Sequence, residues 1–215
     1  RKTELAEVEK AVIRFNEGAS GAILFTGDHL SGKTYLMQNA MNVFLSKNII
    51  RITAPIEGTY KGTGLLDKAL SIATGFNGDS ISIMKQIQKK STIVFEDLEL
   101  WWTRCQSGSD SLIQIVKLIK LFGNKHLFLL DCNILFYQHI RQYTQINEQL
   151  LATITTSSLK ISEVTDTIIN RHHSGGMKFF WQNKSEDKLH SRQLNKLFSK
   201  ITSQTEGNIG MAFYM

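Results

Sequence analysis

The sequence predicts an α/β fold: a three-layer parallel sheet with helices on both faces, followed by a small C-terminal helical lid subdomain. Three observations predict it. Short apolar runs of strand length alternate with segments whose apolar residues recur at helical spacing, the pattern of strand–helix–strand units. A glycine-rich turn, Gly27 to Thr34, joins the first apolar run to the helical stripe that follows it. After about residue 161 the strand-like runs give way to helical stripes.

The elements follow in order. Leu5, Val8, Val12 and Phe15 mark an amphipathic helix ended by Gly18. Ala22 to Thr26 is a short apolar run, as expected of a buried parallel strand. Leu36, Ala40, Val43 and Phe44 fall at i, i+4, i+7 and i+8, one face of a helix. Ile49 to Thr53 predicts a second strand, and the Gly-rich stretch 56–64 a loop. Leu65 to Phe76 and Ile81 to Lys89 predict helices, and Thr92 to Phe95 a third strand. Leu112, Ile115, Val116, Ile119 and Phe122 form a helical stripe, and Leu127 to Leu130 a fourth strand. Phe136 to Leu151 reads as a helix, and Thr153 to Ile161 contains a fifth strand. Beyond it, Ile161, Val164 and Ile168 predict a helix capped by Ser162 and ended near Gly175. Met177 to Trp181 is a short apolar segment. Leu194, Leu197, Phe198 and Ile201 mark another helix ended by Gly207, and the last residues begin one more. This divides the chain into an α/β domain, 1–160, and a helical lid, 161–215.

The turn itself carries chemistry. Gly27-Asp28-His29-Leu30-Ser31-Gly32-Lys33-Thr34 spells G-x-x-x-x-G-K-[ST], the phosphate-binding loop of nucleoside triphosphatases. Gly27 and Gly32 let the chain turn tightly and bring backbone N–H groups close to an anion. Lys33 is placed to reach β- and γ-phosphates, and the Thr34 hydroxyl to ligate Mg²⁺. A helix starting at Lys33 and running into Tyr35 directs its positive end at the phosphates. The motif requires a strand before it and a helix after it, and both are present. The predicted fold is therefore that of a P-loop NTPase, with residues 27–35 as the nucleotide site.

Mg²⁺ must also be held, and a water oriented for attack on the γ-phosphate. Ligands of open α/β sheets bind at the C-terminal ends of strands. The third strand runs into Glu96-Asp97, two adjacent carboxylates: one to bind Mg²⁺ and one to polarise water. With Thr34 they form the expected metal set. The fourth strand ends in Asp131-Cys132-Asn133. Asn133 is the candidate to orient the attacking water, because an amide does so without adding negative charge; capping of the next helix is the competing role. Trp101-Trp102 follows the acidic segment, with core packing and a partner-facing role as the alternatives.

Composition narrows the class. The chain has 215 residues, 42% of them hydrophobic and 20% charged, enough for a substantial core. Net charge is +6, from 25 basic and 19 acidic residues, which permits a nucleic-acid partner without requiring one. Cys105 and Cys132 form no C-x-x-C, so a zinc site or disulfide framework is not expected, and a reducing cytosol is. No apolar run approaches the length of a membrane span. No guanine-reading N/T-K-x-D motif occurs, which favours ATP, and no acceptor-binding constellation points to a small-molecule kinase. A chain that starts at Arg1 and stops within a helical stretch, Ile209 to Met215, is expected to be a piece of a larger parent protein.

The order of features resembles the AAA+ ATPase family over nearly the whole chain. Thr205-Glu206-Gly207-Asn208-Ile209-Gly210-Met211-Ala212 is similar to the Gly-Asn helix start of its origin-recognition and transposition-helper branch. The resemblance implies that Gly27 to Thr34 is Walker A, Glu96-Asp97 Walker B and Asn133 sensor 1. It also implies ATP and Mg²⁺ as ligands, catalytic roles for Lys33, Glu96, Asp97 and Asn133, a lid that closes over the nucleotide, and neighbouring subunits of a homo-oligomer completing the site. Three departures stand out. The acidic pair reads Glu-Asp where the family has Asp-Glu, which puts Glu96 in the metal role, gives the base role to the shorter Asp97 and predicts slow hydrolysis. The family's lid arginine falls near Gly210, leaving Arg171 as a substitute, with an ordinary basic helix C-terminus as its competing role. No arginine lies between Arg141 and Arg171, which leaves Arg141 as the arginine-finger candidate.

Overall fold

The computed structural model describes residues 1–45, 48–54, 64–102, 108–177, 180–181, 184–185 and 190–215. Most of the Gly-rich stretch 56–64, part of the Met177–Trp181 segment, and Cys105 lie outside them. The chain divides into two compact units, residues 1–28 with 33–156, and residues 29–32 with 157–215.

The first unit runs α1 (Lys2–Asn16), β1 (Ala22–Gly27), α2 (Lys33–Phe44), β2 (Ile49–Ile52), α3 (Gly64–Thr74), α4 (Ser80–Gln86) and β3 (Thr92–Phe95). A 3-10 turn (Leu98–Trp101), α5 (Asp110–Phe122), β4 (Leu127–Asn133), α6 (Ile134–Ile140), a second 3-10 turn (Ile146–Gln149) and β5 (Leu150–Thr155) follow. The strands pair in parallel in the order β2-β3-β4-β1-β5. Successive strand residues face opposite sides. Leu24, Ile93, Phe95, Phe128 and Leu130 pack with buried residues of α3, α4 and α5. Ile23, Phe25, Val94, Leu127 and Leu129 pack with those of α1 and α2. Helices cover both faces, so β1 and β3 are buried at every residue, and this is why they read as continuous apolar runs.

The structure corrects four local expectations. The core face of α2 is Leu36, Met37, Ala40 and Met41, whereas Val43 is 61% exposed; the methionines, not the valine, meet the sheet. The helix expected over Phe136 to Leu151 stops at Ile140. Leu150 and Leu151 instead open β5, where pairing with β1 (Ala22 beside Leu150, Ile23 beside Ala152) claims them as strand, and β5 ends at Thr155. The cap of the helix after residue 160 is Lys160 rather than Ser162: the Glu163 carboxylate accepts the Lys160 N–H at 2.9 Å, a side chain three residues in reaching back to the helix start. Finally, Phe180–Trp181 and Lys184–Ser185 pair as a short antiparallel ladder that periodicity did not signal.

The second unit comprises α7 (Ile161–Ser174), that ladder (β6 and β7), α8 (Ser191–Thr205) and α9 (Ile209–Ala212). Val164, Ile168, Phe198 and Ala212 form its core. The Arg171 guanidinium lies 4.1 Å over the Phe213 ring, a packing role for the last turn of α7. Among the described residues no helix is long and apolar enough to cross a membrane.

Candidate functional site

β1 is an inner strand, flanked by β4 and β5, and its last residue is Gly27. The phosphate loop therefore leaves the C-terminal end of the sheet's interior, and α2 begins at Lys33. Gly32 has φ +85°, a conformation open to glycine at little cost, and Leu30 adopts φ +61°. Lys33 is 9% exposed, and its Nζ donates to the Asp28 carbonyl at 3.0 Å. The ammonium is thus folded back over the loop. The first N–H groups of a twelve-residue helix have no partner within that helix, and with its dipole they favour an anion.

Alternation along β4 decides the next contact. Leu127 and Leu129 pack in the core shared with α2, and Asp131 continues the same side. Asp131 lies opposite Phe25 of β1, which brings it to the first turn of α2. The Thr34 hydroxyl donates to Asp131 Oδ2 at 2.9 Å. Asp131 is 1% exposed, and its Oδ1 has no hydrogen-bond partner among the described residues. Burial pushes its carboxyl up to about 6, against the Thr34 hydrogen bond and the Lys33 charge, while the carboxylates of Asp97 and Glu99 push it further up. Glu99 Oε2 accepts the backbone N–H of Asn133 at 3.3 Å. Lys33, Thr34, Asp97, Glu99 and Asp131 therefore converge electrostatically at one end of the sheet.

Not every residue proposed from the sequence joins them. Glu96 pairs with Arg51 at 3.3 Å in an exposed position. Asp97, whose charge does reach Asp131, holds a left-handed backbone (φ +49°) at the entry to the 3-10 turn. Asn133 caps α6, its Oδ1 accepting the Leu135 N–H at 2.8 Å. Tyr35 is 73% exposed. Trp101 is buried edge-on to Phe95, centroids 5.6 Å apart, and Trp102 packs edge-on to Phe136 and His139. Sequence patterning does not single out Glu99, and it favours Asn133 over Asp131. The signal for Asp131 is a carboxylate in step with Leu127 and Leu129, directly after the apolar run Leu127 to Leu130.

Two predictions arise here. Asn133→Ala costs about 1 kcal/mol of stability through loss of the cap, whereas Asn133→Asp keeps it; chemical denaturation of both variants checks this. The second concerns pH. His126 is buried, its Nδ1 accepting the Ser91 N–H at 3.3 Å, and burial pulls its imidazole down to about 4. Between about 4 and 6.5 the unfolded chain binds the proton that folded His126 refuses, so stability rises with pH across that window. Asp131 has the opposite sign. Its raised value means the folded state keeps a proton the unfolded chain has lost, so stability falls as pH rises from about 4 to about 6. The two slopes offset each other in the ligand-free protein. In Asp131→Asn only the His126 slope remains, and melting temperature should climb more steeply from pH 4.5 to 6.5 than in the unsubstituted chain.

Within the second unit, loop residues 29–32 group with the start of α9. Asn208 Nδ2 donates to the His29 carbonyl at 2.8 Å, and the Gly210 N–H donates to the Leu30 carbonyl at 3.0 Å. Asn208 Oδ1 also accepts the Met211 N–H at 3.2 Å. A Cβ on Gly210 would come within 2.5 Å of Leu30 Cβ and 2.6 Å of its carbonyl oxygen. The position where the resemblance places a lid arginine therefore has no room for any side chain.

No protein-family model and no curated protein matches this chain. Solved structures do. The Aeropyrum pernix ORC2 protein, in ADPNP and ADP complexes, is similar with a TM-score of 0.67 at 13% identity, over 99% of this chain and 59% of that one. Cdc6p from Pyrobaculum aerophilum is similar with a TM-score of 0.65 at 11% identity, over 99% and 58%. The Walker-type ATPase paby2304 of Pyrococcus abyssi is similar with a TM-score of 0.60 at 9% identity, over 95% and 65%. The chain thus spans less than two thirds of the length of each. With a five-stranded parallel sheet in the order β2-β3-β4-β1-β5, helices on both faces and these structural neighbours, the chain has an AAA+ P-loop NTPase-like fold.

Proposed function

We propose that this chain is a Mg²⁺-dependent ATP-binding and hydrolysing module that couples nucleotide state to conformational change in a larger protein. The observation that carries the reading is the pairing of the phosphate loop with a buried acid: the Thr34 hydroxyl, in the first turn of α2, donates to Asp131. The nucleotide complexes of the Aeropyrum protein add support from a structural neighbour.

In this reading residues 27–35 cradle the phosphates, with Gly27, Asp28, His29, Leu30, Ser31 and Gly32 offering backbone groups. Lys33 leaves the Asp28 carbonyl to neutralise the β- and γ-oxygens. Thr34, Glu96 and Asp97 are the residues assigned from the sequence to hold Mg²⁺, which would supply positive charge to offset that of the phosphates. Of the two sequence-assigned acids, Asp97 is the one felt at Asp131, and it takes the water-polarising role. Asn133, held at the strand end by Glu99 and its own cap, orients the attacking water. Residues 161–215 act as the lid, and a neighbouring subunit supplies the arginine.

A second reading, a nucleotide-dependent switch or scaffold with little turnover, draws on two observations. Glu96 is occupied by Arg51, and Gly210 offers no lid cation. A DNA-associated role rests on the net charge of +6 and on the lid resemblance, and a steeply salt-dependent affinity would mark it.

Turnover of Mg²⁺-ATP per subunit, measured across a protein concentration series beside Lys33→Ala, tests the proposal. Turnover that needs Lys33 and rises with concentration supports an ATPase completed by self-association. Binding without turnover favours the switch. Absence of both binding and turnover overturns the nucleotide reading.

A further inference from the structure

The strongest unexplained feature of the first unit is the second oxygen of Asp131. A buried polar atom without a hydrogen bond costs free energy, and a buried carboxylate oxygen costs more than most. Here Oδ2 is satisfied by Thr34, while Oδ1 is buried with no partner among the described residues. The side chain lies on β4, the strand that pairs directly with β1. Glu96, by contrast, follows β3, one strand farther from the loop, since β3 pairs with β4 and not with β1. Neighbouring strands are about 4.8 Å apart, so Glu96 starts one strand spacing farther from the loop than Asp131 does. Glu96 is moreover turned to Arg51 of β2.

Resting on the nucleotide reading, we propose that Asp131, rather than Glu96, is the acid that couples the phosphate-loop threonine to the divalent cation of a bound Mg²⁺-nucleotide. Asp131 orients the Thr34 hydroxyl through Oδ2, and its free Oδ1 is the acceptor kept for the cation's hydration shell. The donor chemistry fits: Mg²⁺ keeps several waters and is held by one or two carboxylates plus substrate phosphates rather than by a cage of protein ligands. Asp131 is a positioning residue in this account, and Glu96 belongs to a surface ion pair with Arg51.

The test is the affinity of a non-hydrolysable ATP analogue, measured by calorimetry with and without Mg²⁺. The unsubstituted chain should bind more tightly with Mg²⁺. Asp131→Asn keeps the shape and an acceptor for Thr34; it should keep its Mg²⁺-free affinity within about twofold and lose on the order of tenfold of the Mg²⁺-dependent gain. Glu96→Gln, at the surface, should retain the gain. Ligand-free Asp131→Asn should melt no lower than the unsubstituted chain at pH 7.5, because it removes a buried charge; a merely structural Asp131 would lower the melting temperature and weaken both affinities alike. A full Mg²⁺ gain in Asp131→Asn, or its loss in Glu96→Gln, overturns the assignment. Analogue binding indifferent to Mg²⁺ in the unsubstituted chain overturns it as well and leaves nucleotide binding standing. No binding under either condition removes the nucleotide reading itself.

Discussion

Lys33→Ala should weaken ATP binding at least about a hundredfold and leave no turnover above background. Lys33 is nearly buried, at the first position of α2, with its ammonium on the Asp28 carbonyl. In the proposed nucleotide complex that contact would be exchanged for phosphate oxygens carrying full charge. Each charge-assisted hydrogen bond contributes about 1.5–3 kcal/mol, and two of them correspond to a hundredfold or more. The substitution also removes a positive charge that favours ionised Asp131. Fluorescent-nucleotide titration and steady-state turnover, with thermal melting to show that the variant folds, would check the result. Retention of affinity within threefold would mean that the loop at 27–34 does not hold phosphate.

Gly210→Ala is expected to have the second largest effect. The family resemblance invites the addition of a side chain at this position, because a lid arginine is implied there. The geometry predicts harm instead. The new Cβ would overlap Leu30 Cβ and its carbonyl oxygen, and the neighbour on that side is backbone, which cannot swing away. Overpacking of this kind costs about 1–3 kcal/mol. Relief requires breaking the Gly210–Leu30 hydrogen bond and moving a residue already at positive φ. Because Leu30 belongs to the phosphate loop, the damage should appear as roughly tenfold or greater loss of nucleotide affinity alongside a lower melting temperature. Gly210→Arg should be worse still. If Gly210→Arg instead raises turnover, position 210 is a working lid-cation site and the close approach to Leu30 is not retained during the reaction cycle.

The loop and the strand before it were legible because their signals are local. Eight consecutive residues carry G-x-x-x-x-G-K-[ST], and a strand buried on both faces is largely apolar. Helices such as α1 and α5 were legible for the same reason, one stripe at one period. Leu150–Leu151 was not, since nothing in those residues says that β1 lies alongside to pair with them. Nor did Met37 and Met41 announce that they, rather than Val43, face the sheet.

The acids show the same division most sharply. By itself the sequence determined the α/β class, the place of the phosphate loop between β1 and α2, and the presence of carboxylates at the ends of β3 and β4, because each depends on neighbours along the chain. It could not determine which carboxylate meets Thr34. That depends on strand order, which is a property of long-range pairing: β4, not β3, adds to β1, and alternation then turns Asp131 toward α2 while Glu96 is left to Arg51. Likewise only the tertiary structure decided that Gly210 must stay without a side chain, since the atom it would strike, in Leu30, is far away in sequence and adjacent in space.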